Sequence, residues 1–557
     1  MKKIFTIIII CLISPIGLAQ GNFFGESFQE LTPEAALQNF KELARRMSVD
    51  TIKTLATQRG GRIKPFDTLA RESLLFVNGR YSRWGLSPTQ IYLSFVLSPS
   101  SPWVEYIEIR KPELRTQLGF LPSQRFVSLA ELETAGFSSR VEPLLTRHRE
   151  SEFFSDSEKA LLELYNQMSV LGAIVTGEHL VGVVDFSRLF TEQNLNAGEE
   201  ARSKIKGYLE SLKNNPEGSE SAAKTLVSWS REQNTPDMFK HYLGKLKLEV
   251  FYNDIRIFFW AGILYIISAL LFFFPWAQKK TWRKFAPILF LVPLALHIIG
   301  LALRVYITRF APVTNMYSTM LWVSLGVNLF SYILYILYSN SLIAGFMLFI
   351  SGIILFLAQS FPLVLSPDLD PIVAVLRSNF WLSTHVTTIT ISYSAFTIAM
   401  ILGNIALIRR LLGHSLENFV KDYAKHAYRA VQLGCFFLTI GIILGGIWAD
   451  YSWGRFWGWD PKETWSLIAD LGFLALLHSR YIGWAKDFIF LALSPVAYLM
   501  VIMAWYGVNF ILAAGLHSYG FSSGGAIAVV VFVSAQALLI GAALMRDVLA
   551  NKKNMTK

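Results

Sequence analysis

Cysteine is almost missing from this chain. Its 557 residues include two, Cys11 and Cys435. No C-x-x-C and no C-x-x-C-H occurs, so the chain is neither a c-type cytochrome nor a thioredoxin-like reductant. Any thiol chemistry must use cysteines from another protein. Charge is scarce too: Asp, Glu, Lys and Arg make up 16% of residues, and the 51 basic ones outnumber the 40 acidic ones. No basic module interleaved with stacking aromatics occurs in the polar part, which argues against a nucleic-acid partner. His148, His179 and His241, all in that polar part, lack metal-ligand spacing.

Apolar residues are abundant, at 53% of the chain with a mean hydropathy of +0.40. At this length, that reads as a polytopic membrane protein. Met1-Lys2-Lys3, an apolar run from Ile4 to Leu18 and Ala19-Gln20 form a signal-peptide pattern over residues 1–19, with an uncleaved first helix as the alternative. Either way, residues 20–250 are expected outside the cytoplasm, as one or two periplasmic domains. Leu37 to Met47 and Glu158 to Val170 have helical apolar spacing.

Nine membrane helices are expected, at about 256–274, 285–303, 318–338, 342–362, 384–407, 429–449, 465–483, 488–512 and 524–545. The expected fold is therefore mainly α: a membrane helical bundle over 255–545, an exported N-terminal domain and a cytoplasmic tail over 546–557. Basic clusters follow the first, fifth, seventh and ninth helices, such as Lys279-Lys280 with Arg283-Lys284, and Arg409-Arg410. All fall on one side, the cytoplasmic one if 20–250 lies outside.

Between the sixth and seventh expected helices lies Trp453-Gly454-Arg455-Phe456-Trp457-Gly458-Trp459-Asp460-Pro461-Lys462-Glu463-Thr464-Trp465. Tryptophan favours the membrane–water interface. An ordinary aromatic belt would account for the rings alone, but not for the glycines between them. Clustered indoles could give a flat bed for a large planar ligand. Asp460, Pro461 and Glu463 have the order of N-cap, first helical residue and capping-box partner.

Histidines share this membrane face. His385 opens the fifth helix and His517 follows the eighth, on the same side as the Trp loop. Each alone reads as an interface histidine. Together with the loop they offer two imidazoles and an apolar bed, the set a six-coordinate haem requires. His478 lies within the seventh helix, where an imidazole is costly unless paired or bound, or unless it snorkels to the cytoplasmic end. His297 lies in the second helix. His414 and His426 sit among basic loop residues and read as solvated.

The run W-G-x-x-W-x-W-D-x-x-E, with Trp448 to Leu467 and then His478, resembles the "WWD" signature of the CcsA (ResC) family and of the CcsA half of fused CcsBA cytochrome c synthases. The resemblance covers roughly residues 285 to 545. Pro312-Val313-Thr314-Asn315-Met316-Tyr317 is similar to the family's P-x-x-N-x-Y segment, with Ser318 where an acidic residue is often found. It implies a system II cytochrome c synthase component in the bacterial inner membrane, handling haem b. His385 and His517 would ligate external haem. Trp453, Trp457, Trp459 and Asp460 would form or support its bed, and His478 would ligate haem within the membrane. Arg304 or Arg309 could pair with propionates or simply anchor lipid. Apocytochrome c would bring reduced thiols, which implies a thiol reductant system. The CcsB half is absent or cut down, so the second intramembrane ligand would come either from His297, which otherwise reads as a hydrogen-bonded structural histidine, or from a separate CcsB-type (ResB) subunit. The alternative is a transporter of haem or another amphipathic ligand without attachment chemistry.

Overall fold

The computed structural model describes residues 24–555 apart from 25, 150–153, 185–196, 233–236, 275–276, 278, 280, 372–377, 414–416 and 513–525. The signal-peptide segment, His414 and His517 lie outside the described residues. The chain divides into two compact units, Met1–Asp254 and Ile255–Lys557.

The first unit is largely helical with two small sheets. Strand β1 (Ala56–Arg59) pairs antiparallel with β2 (Arg62–Pro65). Gly60 and Gly61 link them, both at positive φ, as a two-residue hairpin turn requires. The basic residues of this hairpin do not face solvent. Arg62 is fully buried and forms a two-pronged ion pair with Glu249, at 2.7 and 2.8 Å. Thr68 also donates to Glu249, at 2.8 Å. Lys64, also buried, reaches Glu72 at 2.7 Å. The hairpin is thereby tied to helix α1 (Phe66–Asn78) and to α2 (Leu246–Ile255).

His179 forms a second buried knot. Its Nε2 lies 2.8 Å from an Arg59 guanidinium nitrogen and its Nδ1 2.6 Å from the Tyr92 hydroxyl. Arg59 can only donate, so Nε2 accepts and Nδ1 carries the proton. Burial first, and then the Arg59 charge, push the imidazole pKa down to about 3 from 6.5. The unfolded chain therefore binds the extra proton below pH 6.5. This contribution to stability is present above pH 6.5 and is lost as pH falls toward 3, at about 1.4 kcal/mol per unit. Amide exchange in α1 of the full-length protein should accelerate over that window. A His179→Gln variant should flatten the pH dependence.

The second unit is a bundle of membrane-length helices: α3 (Ile257–Phe273), α4 (Ala286–Thr308), α5 (Met316–Tyr338), α6 (Ser341–Ser360), α7 (Thr387–Leu411), α8 (Glu417–Trp453), α9 (Pro461–Tyr481), α10 (Asp487–Ile502) and α11 (Ala526–Met555). Large apolar side chains face outward, including Ile299, Leu337, Val530 and Leu538. Lipid tails would cover such a surface and water would not. Eight helices in the described residues are long and apolar enough to cross a membrane; a bent pair at 156–184 would make a ninth if counted as one span. Helix α9 is not among the eight, because Lys462, Glu463, Asp470 and Arg480 dilute its apolar run.

Polar caps set the helix starts. Asn315 accepts from Ser318 N at the head of α5, and Asn340 accepts from Ile343 N at the head of α6. Helices α3 to α6 pack together. Helix α7 bridges α5 to α8 and α10, and α9 lies against α8 and α10.

Candidate functional site

Two π-helical segments flank the site. Such segments are rare and frequently mark functional positions. Leu382–Val386 carries His385 into α7, and Met503–Leu512 extends α10 toward the segment that holds His517.

His385 lies against α8. Its Nδ1 is 2.8 Å from the Gly441 carbonyl oxygen. A carbonyl can only accept, so Nδ1 carries the proton and Nε2 is the lone-pair nitrogen. The Trp448 indole stands edge-on to this ring, with centroids 5.8 Å apart and planes at 64°. Trp448 is buried, and its indole N–H meets no acceptor among the described residues. Around it pack Val313 and Leu382, with Trp322, Trp381 and Trp453 at the margin.

The Trp loop leaves α8 at Gly454, whose φ is +69°. Asp460 caps α9 by accepting from Lys462 N at 3.0 Å. Glu463 reaches back to Asp460 N at 3.2 Å and also holds Gly458 N at 2.8 Å. The helix-start pattern expected for Asp460-Pro461-Lys462-Glu463 is present. Arg455 adds an ion pair to Glu463 at 3.5 Å. These bonds hold Trp459 at φ +56°, a left-handed conformation costly for a bulky residue. Trp459 is 70% exposed. Trp457 meets it edge-to-face, with planes at 89° and centroids 5.7 Å apart. These two rings therefore form a right-angled corner and not a flat bed. Trp453 instead joins the cluster beside His385. Lys462 Nζ lies 3.5 Å from Asn509 Oδ1, linking the start of α9 to the second π segment.

His478 lies 17 residues beyond the start of α9, about 25 Å along its axis. It is exposed, and its Nδ1 donates to the Leu474 carbonyl at 2.9 Å. That bond puts the proton on Nδ1 and leaves the lone pair on Nε2. His297 has other surroundings. It is fully buried in α4, beside Phe258 and Tyr265 of α3, with Nδ1 3.2 Å from the Tyr265 hydroxyl. Two different environments thus hold His478 and His297.

The candidate arginines also differ. Arg304 is buried and donates to the carbonyls of Pro367 and Asp368, at 2.9 and 3.1 Å, and to Ser318 Oγ at 3.2 Å. Its guanidinium fastens the loop after α6 to the head of α5. Arg309 is exposed at the end of α4, with φ +61°.

Asp470 is a residue the sequence reading passed over. It is buried within α9 and accepts from Thr439 Oγ1 of α8 at 2.8 Å. The available signal was one acidic residue inside an apolar run. Among the described residues, no group of three or more His, Cys, Asp or Glu could hold a bare metal ion.

A family model for cytochrome c assembly proteins matches residues 313–517. A cytochrome c biogenesis protein CcsA from Trieres chinensis is 31% identical over 308 residues, covering 48% of this chain and 95% of that protein. The CcsA protein of Guillardia theta is 34% identical over 236 residues, covering 38% of this chain and 76% of that protein. This chain belongs to the CcsA family of cytochrome c biogenesis proteins.

Protein NrfI from Wolinella succinogenes is 29% identical across 92% of this chain. The chain spans 58% of that protein's length, and the match reaches into the polar N-terminal half. The family match brackets His385, the Trp loop, His478 and His517. It leaves His297, Arg304 and Arg309 outside.

Proposed function

We propose that this chain presents haem for covalent attachment to apocytochrome c at the membrane face that carries the Trp loop. The observation that carries this reading is the His385 imidazole. Its Nδ1–H is fixed by the Gly441 carbonyl, and it lies beside the Trp448 and Trp453 cluster. A histidine that donates through one ring nitrogen has its other nitrogen defined as the ligand for iron.

In this reading His385 and His517 are the axial ligands of haem b, the cargo. The aromatic cluster excludes water from one side of the ring, and the Trp457–Trp459 corner borders its edge. The buried Trp448 N–H is a donor suited to a propionate or a bridging water. His478 supplies a ligand on the opposite half of α9, on a face open to a CcsB-type subunit that would complete the pair. Each apocytochrome thiol adds across a haem vinyl group: sulfur bonds to one vinyl carbon and hydrogen goes to the other, with no net oxidation. The thiols must arrive reduced, which calls for a separate reductant. The chain's own contribution is positioning. The reading places residues 20–250 on the periplasmic side of a bacterial inner membrane.

The test is attachment in a bacterial host stripped of its own cytochrome c maturation system, with a C-x-x-C-H reporter and a CcsB-type subunit co-expressed. Haem staining of the denatured reporter should depend on this chain and fall at least ~100-fold in the His385→Ala variant. Equal staining with the variant would remove His385 from the site. Staining independent of the chain would reject the synthase reading.

A further inference from the structure

Helix α8 meets α7 through glycines at 434, 441 and 445. A methyl group built on each one strikes a side chain of α7 or of the π segment before it. At Gly434 the obstacle is the Phe396 ring, 2.4 Å away. At Gly441 it is Ile389, 2.5 Å away. At Gly445 it is the His385 imidazole itself, with Cε1 at 2.6 Å, Nδ1 at 3.0 Å and Nε2 at 3.3 Å. All three ring atoms lie within reach of that one position, so the imidazole rests on the bare backbone of α8. Four residues earlier on the same face, the Gly441 carbonyl takes the ring's N–H at 2.8 Å. The next residue, Gly446, does the same for the Trp loop: a methyl there would lie 2.6 Å from the Phe456 ring.

We infer that Gly441 and Gly445 are positioning residues for the external haem site: the Gly441 carbonyl fixes the His385 tautomer, and the missing side chain at Gly445 fixes where the ring stands. This rests on the reading of His385 as an iron ligand and adds what aims it. A helix backbone is a rigid support, and ligand atoms need placement to within about 0.5 Å. An α-carbon hydrogen at 445 permits that placement, and a methyl group forbids it. Adjacent glycines therefore set the imidazole and the Trp loop from a single turn of α8.

The control lies on the same helix. Gly434→Ala and Gly445→Ala introduce the same group into equally tight contacts, but only the second meets His385. The probe is haemin, titrated into full-length purified protein and followed by absorbance. Wild type and G434A should give the same low-spin six-coordinate spectrum. G445A should bind at least ~10-fold more weakly and show a high-spin component, as expected of an axial ligand displaced by about 1 Å. An unchanged G445A spectrum overturns the inference. So does an equal loss in G434A, because the effect would then be general packing.

His385→Ala separates the two levels. If it keeps the wild-type spectrum, the ligand reading itself fails. If it loses that spectrum while G445A does not, only the seat fails. Should G445A not accumulate, nitrogen-15 histidine NMR of the wild-type protein decides, with the His385 signals assigned by their loss in His385→Ala. Protonation at Nδ1 supports the seat, and protonation at Nε2 overturns it.

Discussion

Replacing Glu249 with leucine should destabilise the N-terminal unit by about 3–5 kcal/mol. The two carboxylate oxygens of Glu249 take both Arg62 nitrogens, and one also takes the Thr68 hydroxyl. Arg62 is 0% and Glu249 2% exposed. Removing the acid strands a guanidinium where water cannot reach it, which is why breaking such a pair costs more than the pair contributes. Replacing both partners, Arg62→Met with Glu249→Leu, should recover most of the loss. Urea unfolding of the full-length protein in detergent, followed by amide exchange in β2, measures both. Equal loss in the single and double variants would show that the ion pair is not the source. The consequence extends beyond the hairpin, because the same network orders α2, the helix that ends at the junction with the membrane half.

This network shows where sequence reading stops. In the basic run Arg59-Gly60-Gly61-Arg62-Ile63-Lys64-Pro65, Lys64 finds Glu72 eight residues on, but the Arg62 partner lies 187 residues away. Arg304 is similar. Its position invited a propionate partner, but the carbonyls it holds belong to a loop more than sixty residues on. Charge in a sequence does not reveal its partner when the pairing is tertiary.

Hydrophobic runs are more informative, because burial in lipid constrains every residue of a span. The runs expected at 318–338 and 342–362 correspond to Met316–Tyr338 and Ser341–Ser360. The run expected at 429–449 belongs to a helix that extends over Glu417–Trp453. Its first turns bury Val420, Tyr423, Ala424, His426 and Ala427 on one face and expose Lys421, Asp422 and Lys425 on the other, so the extension lacks a continuous apolar run and His426 is buried, not solvated. Local polar chemistry was legible too. Asp460, Pro461 and Glu463 announced the start of α9, since a capping box is complete within four residues. What the loop's composition did not contain was the geometry of its rings. Indoles close in sequence suggest a stack, whereas the positive φ of Trp459 turns Trp457 and Trp459 perpendicular. Nor did it show the seat of His385, because Gly441 and Gly445 read as ordinary small residues until α7 is laid against α8.

In the proposed function, His385 and His517 hold haem beside the Trp loop. The most direct measurement is a reduced-minus-oxidised absorbance spectrum of the full-length protein, purified in detergent from cells well supplied with haem. It would be set beside that of a His385→Ala/His517→Ala double variant purified in the same way. The wild-type protein should show a b-type spectrum with bis-imidazole character, and the variant should lose nearly all of it. Removing both axial ligands leaves the iron without imidazoles at this site, and a loss of about 3 kcal/mol corresponds to ~100-fold in affinity. A wild-type preparation with haem whose spectrum survives the double substitution intact would contradict the claim and move the iron to other residues.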